Sequence, residues 1–359
     1  MVINAANPDI FGARQRYDTI HIETEESGSG IAASTSMPSS PIMNGETFNV
    51  LRKLSRRSST FSISSTTDET SLEELEVDVC KLLRMELISH GFSAEVYKAS
   101  WKGSDVALKE LHWNSRLPEK KVEAFRKELT IMMKFRHPNL VLLMGVVTRT
   151  LPYSLILEFC SGGTLFDLLH KKPIVEISWR QRMKILIDVA KAMNYLHHLT
   201  PVVIHRDLKS LNVLLLEHVA DQYDTPIAKV ADFGLSTWAP FTGHGEDPDE
   251  SCQSLVGTYH WMAPEVIQSK PYNERVDSFA FGIIIFEITS RTVPYSDLQL
   301  NPLELAKAVT EGLRPDISKV DPECHPTVID VMLKCWSAMP FDRPSFDSIL
   351  DSLKSATTQ

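Results

Sequence analysis

The hydrophobic and polar positions divide the chain into a polar first part and a remainder with regular apolar patterns. In residues 1–75, Ser, Thr, Gly, Pro and Asn dominate, and no apolar periodicity persists beyond a few residues. Such a segment buries too little apolar surface to offset the entropy of ordering it. The pattern therefore predicts a disordered tail over 1–75, followed by a globular region.

Strand-length apolar runs fill the first part of the globular region. The predicted strands span residues 87–88, 94–99, 105–111, 140–147 and 153–159. A helix is predicted between the third and fourth strands, at 121–136, because apolar residues recur there at helical spacing. Glu128 lies within that apolar stripe, and a carboxylate that faces a core needs a cationic partner.

After residue 160 the pattern becomes mainly helical. Ser178 and Gln181 form a predicted capping box at the start of one helix. Residues 276–290 contain the run 279–286, which is apolar on every side and indicates a helix buried in the centre of a large domain. Further helices are predicted at 303–311, 327–339 and 346–355. The layout is a strand-rich small lobe followed by a larger helical lobe, an α+β architecture.

One stretch, residues 205–234, contains two short strands joined by a polar loop. The strands are predicted at 213–216 and 227–231, and they form a hairpin. Antiparallel pairing then places Asn212 and Asp232 at the same end, with Asp207 a few residues upstream. Two carboxylates and an amide suit a hard cation such as Mg²⁺ that carries a phosphate. From these residues alone, a solvated loop with chance acidic residues remains the alternative.

Composition and charge narrow the classes of function. The formal net charge of −9 argues against a nucleic-acid-binding role, which favours a basic surface. The five cysteines are scattered without a C-x-x-C pair, which favours reduced thiols and a cytoplasmic location. No signal peptide is predicted in the first ten residues, and no apolar run is long enough to span a membrane.

Four motifs, in this order, resemble those of a eukaryotic protein kinase, and the resemblance covers residues 82–353. They are VALK at 106–109, HRDLKSLN at 205–212, DFG at 232–234 and APE at 263–265. The resemblance implies a bilobal protein kinase fold. Its N-lobe, at about 82–160, would be an antiparallel sheet with one helix, and its C-lobe, at about 161–353, would be mainly helical.

The same resemblance assigns roles to individual residues and implies ATP and Mg²⁺ as cofactors. Lys109 would contact the α and β phosphates, and Glu128 would hold Lys109 by an ion pair. Asp207 would act as the catalytic base, and Lys209 would neutralise charge on the transferred phosphoryl group. Metal binding is expected from Asn212 and Asp232.

The nucleotide pocket is expected from residues of the glycine-rich loop, the strands and the hinge between the lobes. This set comprises Ile88, Ser89, Gly91, Ala94, Val96, Ala107, Lys109, Leu157, Glu158, Cys160 and Leu214. The family loop is G-x-G-x-x-G, because backbone amides approach phosphate closely where side chains are absent. Ser89 and Ala94 occupy two of the three glycine positions here.

Finer features resemble the tyrosine-kinase-like group of serine/threonine kinases, the Raf and mixed-lineage relatives. They are Lys209–Ser210 in the catalytic loop, GTYHWMAPE at 257–265 and CWSAMPFDRP at 335–344. The expected function is transfer of the γ-phosphoryl group of Mg·ATP to Ser/Thr hydroxyls of protein substrates, with added activity on tyrosine left open. The altered glycine loop supports an alternative, a pseudokinase-like signalling scaffold with weak or no turnover.

The resemblance also implies bracing and regulatory residues. Glu265 and Arg343 match a structural ion pair, Asp277 matches the acid that braces the catalytic loop, and Thr258 is expected beside Asp207. Arg206 implies activation by an upstream kinase, with candidate sites at Thr242, Ser251 and Ser254; the acidic stretch 245–251 could instead mimic phosphate. In the tail, Ser55 and Ser59 follow basic residues and resemble phosphorylation sites.

Overall fold

The computed structural model describes residues 72–91, 94–112, 119–172, 175–238 and 259–357. Several expectations concern residues outside these ranges. They are the tail up to residue 71 with Ser55 and Ser59, the acidic stretch 245–251, and Thr242, Ser251, Ser254 and Thr258.

The first lobe is a five-stranded antiparallel sheet, as the resemblance implies, and its strand order is β1-β2-β3-β5-β4. Its strands are β1 (Leu82–His90), β2 (Ala94–Trp101), β3 (Ser104–Leu111), β4 (Leu143–Val147) and β5 (Ser154–Glu158). β1 is much longer than the predicted 87–88. It is an edge strand whose side chains are largely exposed, Leu83 to 67%, so it lacks the apolar alternation by which strands are recognised.

The two faces of this sheet differ in chemistry. Val106, Leu108 and Ile156 are buried in a small apolar core on one face. Residues alternate between faces along a strand, so Ala107 and Lys109 lie on the other face. Register pairs Lys109 with Val96 and Ala107 with Leu157, so all four side chains share that second face. The helix expected at 121–136 is α1 (Glu119–Met133), which ends three residues earlier than predicted.

The last residues of the predicted tail belong to the fold. Residues 72–75 form a helical turn, and Val77 is buried against the sheet. The Glu76 carboxylate accepts hydrogen bonds from the backbone N–H and the hydroxyl of Thr148, at 3.0 and 2.6 Å. The ordered domain therefore starts before residue 82, because these polar contacts and one apolar residue compensate for the low apolar content of the segment.

The second lobe is built from helices around a central one. They are α2 (Trp179–His197), α3 (Pro264–Ile267), α4 (Arg275–Ser290), α5 (Pro302–Thr310), α6 (Pro326–Cys335) and α7 (Phe346–Thr357). Nearly every residue of α4 is buried, as its uniform hydrophobicity predicts. The predicted capping box is present, since the Ser178 hydroxyl accepts from the Gln181 N–H and the Gln181 side chain accepts from the Ser178 N–H.

Short strands complete the second lobe. They are β6 (Gly163–Thr164), β7 (Val203–Ile204), β8 (Val213–Leu215), β9 (Ala228–Val230) and β10 (Thr237–Trp238). β8 lies between β6 and β9 in a three-stranded sheet, and β7 pairs with β10. Within the described ranges, no helix combines the length and apolar character that crossing a membrane requires.

Candidate active site

The predicted hairpin is formed by β8 and β9, and it brings the expected metal ligands together. Val213 pairs with Val230 in an antiparallel register. One residue beyond this pair, the Ala231 N–H donates to the Asn212 carbonyl oxygen at 2.8 Å. Asn212 and Asp232 therefore lie at the same end of the hairpin, as the geometry of an antiparallel pair requires.

The backbone conformation of Asp232 and the burial of the next residue, Phe233, set the direction of the Asp232 side chain. Its φ of 64° lies in the left-handed region, which costs a residue with a side chain about 1–3 kcal/mol. Phe233 is fully buried and its ring lies 4.7 Å from that of Phe135 and 5.1 Å from that of His205. Burial of this ring fixes the chain on one side, and the Asp232 carboxylate reaches Lys109 on the other.

Lys109 joins the two lobes through two carboxylates. Its Nζ lies 2.7 Å from Glu128 Oε1 on α1 and 2.9 Å from Asp232 Oδ1. Burial opposes the charge of Lys109, but the carboxylates of Asp232 and Glu128 outweigh it and raise the lysine pKa. Lys109 in turn lowers the pKa of Asp232. The Glu128 carboxylate in the apolar stripe of α1 therefore has the cationic partner that its burial requires.

Asp207, in the loop before β8, is held by the side chains of Lys209 and Asn212. Lys209 Nζ lies 2.9 and 2.7 Å from the two carboxylate oxygens of Asp207. The Asn212 amide nitrogen donates to the Asp207 carbonyl oxygen at 2.8 Å and to its Oδ2 at 2.9 Å. Because the nitrogen of Asn212 is used in this way, its amide oxygen is left as a ligand atom.

Asp277, near the start of α4, braces the same loop. Its Oδ2 accepts from the His205 N–H at 2.9 Å, and its Oδ1 accepts from the Arg206 N–H at 2.9 Å. His197 Nε2 lies 2.9 Å from Oδ2. Burial opposes ionisation, but the hydrogen bond from His197 leads the contacts that lower the pKa of Asp277. These bonds hold Arg206 at a positive φ of 70°.

The shared face of the first sheet fits the apolar part of a nucleotide. Val96, Ala107 and Leu157 are half-buried on this face, and Leu214 on β8 is half-buried between two buried neighbours. Ile88, also expected here, is 49% exposed on the edge strand. Half-buried apolar residues next to the Lys109 cation match the apolar lining and few polar groups typical of a cofactor site.

The hinge residues follow directly from β5. Glu158 ends the strand, and its carboxylate is 3.0 Å from Lys229 Nζ. Cys160 is buried, and burial raises the pKa of its thiol to about 12. The thiol therefore stays protonated near neutral pH, in agreement with its interpretation as a small buried residue.

The glycine-rich loop retains a glycine where a side chain cannot fit. The Gly91 N–H donates to the Ala94 carbonyl oxygen at 3.0 Å, and a Cβ on Gly91 would lie only 2.9 Å from that oxygen. Ser89 lies within β1, paired with Val96, and Ala94 begins β2. Both substituted positions thus lie within strands, although the β1–β2 register shifts between Leu87 and Ser89.

Comparison with known proteins shows the family of the chain. The family model for protein tyrosine and serine/threonine kinases matches residues 82–353, the range over which the motifs resemble a kinase. The chain belongs to this kinase family. The family uses ATP and acts on protein substrates, and the expected bilobal kinase fold is confirmed.

Curated relatives match across most of the chain. The kinase domain is 38% identical over 283 residues to the serine/threonine-protein kinase CTR1 of Arabidopsis thaliana, covering 79% of this chain and 32% of that protein. It is 36% identical over 283 residues to STY17 of the same plant, covering 78% and 45%. It is 34% identical over 289 residues to the probable kinase drkC of Dictyostelium discoideum, covering 80% and 36%. The chain thus spans less than half the length of these relatives.

One buried residue of the kinase site escaped the sequence analysis. Glu287, near the end of α4, has no solvent exposure. Its Oε1 accepts from the Ser210 hydroxyl at 2.7 Å, and its Oε2 accepts from the Trp261 indole N–H at 2.6 Å. His170 Nε2 lies 3.1 Å from Oε1. Glu287 therefore connects the catalytic loop to the segment before the APE motif. Its only sequence signal was an acid directly after the apolar run 279–286.

The expected ion pair between Glu265 and Arg343 is present and buried. Arg343 Nη2 donates to Glu265 Oε2 at 2.9 Å in a two-pronged contact, and the arginine side chain has no solvent exposure. This pair links α3 to the segment before α7. The hydrogen bonds of this pair do not include Asp207, which suits a structural role.

Proposed function

We propose that this kinase domain transfers the γ-phosphoryl group of ATP to serine and threonine hydroxyls of protein substrates in intracellular signalling. The observation that carries the proposal is the pair of contacts from Lys109 Nζ to Glu128 and Asp232, at 2.7 and 2.9 Å. Phosphoryl transfer by a protein kinase requires this lysine–glutamate ion pair and a correctly placed metal-binding aspartate, and Lys109 contacts both Glu128 and Asp232. The names of the relatives, which are serine/threonine kinases, favour this substrate class.

The residues present fit Mg·ATP. Asp232 and the amide oxygen of Asn212 supply the oxygen ligands that Mg²⁺ prefers. Lys109 supplies the cation for the phosphates, and the half-buried face formed by Val96, Ala107 and Leu157 suits the adenine ring. When bound, Mg·ATP supplies the phosphoryl group and neutralises the charge that develops on it.

The chain's own residues orient the acceptor and stabilise charge. Asp207 accepts or orients the proton of the attacking hydroxyl, while its own position is fixed by Asn212. Lys209, within 2.9 Å of Asp207, stabilises negative charge as the phosphoryl group moves. Asp277 keeps the loop in this conformation through the backbone of His205 and Arg206.

The decisive test is a transfer assay on the purified chain with generic Ser/Thr and Tyr substrates. Asp207→Asn should retain the melting temperature within about 2 °C and lose phosphoryl transfer by more than about 100-fold. Asp342→Asn is a control, because Asp342 is an acid outside the site. Equal phosphorylation by wild type and Asp207→Asn would contradict the proposal.

A scaffold without turnover is the second candidate, and Ser89 and Ala94 at glycine positions are the observation that favours it. Two measurements separate the candidates. A nucleotide that binds the folded state must raise its melting temperature. Absence of a shift with Mg·ATP, together with absence of transfer, would favour the scaffold.

We propose that residues 1–75 form a regulatory tail with Ser55 and Ser59 as phosphorylation sites, although the last residues of this tail join the domain. An upstream kinase would act on the activation segment at Thr242, Ser251 or Ser254, with Arg206 as the group that binds the new phosphate.

A cytoplasmic location is the proposal that the cysteine usage supports, and the four cysteines in the described ranges are free thiols.

A further inference from the structure

Three potential metal ligands that have no role in the proposed phosphoryl transfer gather at one end of the first three strands. His90 ends β1, Glu95 is the second residue of β2, and His112 follows β3. His90 and Glu95 are register partners, and Ala94 is paired with Leu111, so the antiparallel sheet brings His112 beside them. One donor atom from each of the three side chains lies within 4.8 Å of the others.

Contacts inside the cluster orient the carboxylate. His90 Nδ1 lies 2.9 Å from Glu95 Oε1. The other carboxylate oxygen, Oε2, accepts a hydrogen bond from the Tyr97 hydroxyl at 2.6 Å. A hydrogen bond of this kind to a ligand is typical of metal sites, because it fixes the direction of the coordinating oxygen. Glu95 is thus held with one oxygen toward the two histidines.

His112 provides an independent observation that points to a ligand. Its Nε2 atom is buried and has no hydrogen-bond partner. A buried polar atom without a partner costs about 1–3 kcal/mol. The ring of His112 lies 5.2 Å from that of His90, centroid to centroid. The His90 side chain is 67% exposed, so the cluster opens to solvent on that side.

The donor set selects the kind of ion. Two imidazoles and one carboxylate are the protein ligands of four-coordinate zinc sites whose fourth position holds water. Mg²⁺ and Ca²⁺ prefer oxygen ligands throughout. Tetrahedral zinc with bonds of about 2.0 Å separates its ligand atoms by roughly 3.3 Å. Rotation of the exposed His90 ring can close the present separation to that value.

We propose that His90, Glu95 and His112 bind Zn²⁺ and thereby fasten the β1–β2 turn to the end of β3. This turn is the glycine-rich loop, since His90 lies between Ser89 and Gly91. The site is separate from Asp207, Asn212 and Asp232. Its existence does not depend on whether the domain transfers phosphate.

The test measures zinc affinity of the full chain against a chromophoric chelator, in excess Mg²⁺ so that carboxylates of the kinase site are occupied. Wild type should bind one Zn²⁺, and His90→Gln should bind it at least about tenfold more weakly. Tyr97→Phe, which leaves all three ligands in place, should weaken binding about tenfold. Because His90 is exposed, His90→Gln should keep the melting temperature of the metal-free protein.

Two matched controls address other zinc ligands. His198 is 61% exposed and lies 3.3 Å from Asp347, a histidine–carboxylate pair outside the cluster. Cys80 is an exposed free thiol. His198→Gln and Cys80→Ser should bind Zn²⁺ as wild type does. Equal affinity of wild type and His90→Gln, or loss of binding in either control, would overturn the assignment.

Hydrogen exchange supplies a second readout that is independent of affinity. Zn²⁺ should slow amide exchange in peptides from 82–101 of the wild type, because the ion joins three strand ends. The same peptides of His90→Gln should show no slowing. Unchanged exchange in the zinc-loaded wild type would also overturn the proposal.

Discussion

Lys109 on β3 and Glu128 on α1 are joined by an ion pair with an Nζ to Oε1 distance of 2.7 Å. The pair fixes the helix against the sheet, and Lys109 also contacts Asp232 in the other lobe at 2.9 Å. The Lys109 ammonium group thus contacts residues from two other elements, Glu128 on α1 and Asp232 after the hairpin of the second lobe. A shift of α1, of the strand register or of the hairpin would displace this ammonium group, which we propose binds the phosphates of ATP.

Glu128→Gln should therefore reduce kcat/KM about 100-fold, the effect expected of a displacement near 1 Å at a reacting group. Stability should fall by only about 1 kcal/mol, because the glutamine carbonyl oxygen can still accept from Lys109. Steady-state kinetics and urea unfolding measure the two effects. The control is Glu123→Gln, an exposed acid of the same helix, which should leave both quantities unchanged. A large loss of stability with unchanged activity would contradict the positioning role.

Asp277→Asn should destabilise the protein by about 2 kcal/mol near neutral pH. Asparagine offers one acceptor oxygen where the carboxylate accepts from His205, Arg206 and His197. The pKa of Asp277 is lowered on folding from an ordinary value of 3.8, so its ionised form stabilises the fold above that value. This contribution is lost as the pH falls through the folded pKa.

The difference in unfolding free energy between wild type and Asp277→Asn should consequently be constant from about pH 7 to pH 5 and narrow below about pH 4. Urea unfolding at each pH measures this difference, in which titration of the other carboxylates cancels. If this difference in unfolding free energy kept the same size down to the lowest pH at which both proteins fold, ionised Asp277 would not be the source of the added stability.

Restoring glycine at positions 89 and 94 should strengthen nucleotide binding. The double variant Ser89→Gly with Ala94→Gly removes the two side chains that distinguish this loop from the family pattern, so the KM for ATP should fall several-fold. Two glycines within strands should lower the stability by about 1–2 kcal/mol. The converse change, Gly91→Ala, places a Cβ 2.9 Å from the Ala94 oxygen and should raise that KM. An unchanged KM in both variants would show that the loop does not limit nucleotide binding.

The placement of Asn212 and Asp232 at one end of the hairpin could be predicted from the sequence, because the ends of two antiparallel strands fix which residues lie side by side. Once 213–216 and 227–231 are paired antiparallel, Asn212 and Asp232 must meet. The need of Glu128 for a cationic partner could also be anticipated, since an acid in an apolar stripe requires a cation, but Lys109 was assigned to it only through the kinase resemblance. In both cases a local pattern contains the physical reason for the contact.

Other features could not be predicted because their causes lie in contacts between distant segments. Glu287 is satisfied by Ser210 and Trp261, which lie 77 and 26 residues away along the chain. β1 lacks apolar alternation because it is an exposed edge. The grouping of His90 with His112 depends on the pairing of three strands, and spacing along the chain gives no sign of it.

Breaking the Glu265–Arg343 pair should be the most destabilising of these changes. Arg343→Met leaves the buried Glu265 carboxylate without its cation, which should cost about 3–5 kcal/mol and lower the melting temperature by about 10 °C. The matched control is Arg84→Met, which breaks an ion pair with Glu110 in which the arginine is 54% exposed. Solvent screening limits that loss to about 1 kcal/mol. Thermal and urea unfolding of both variants test the contrast, and similar losses would mean that burial does not set the strength of the Glu265–Arg343 pair.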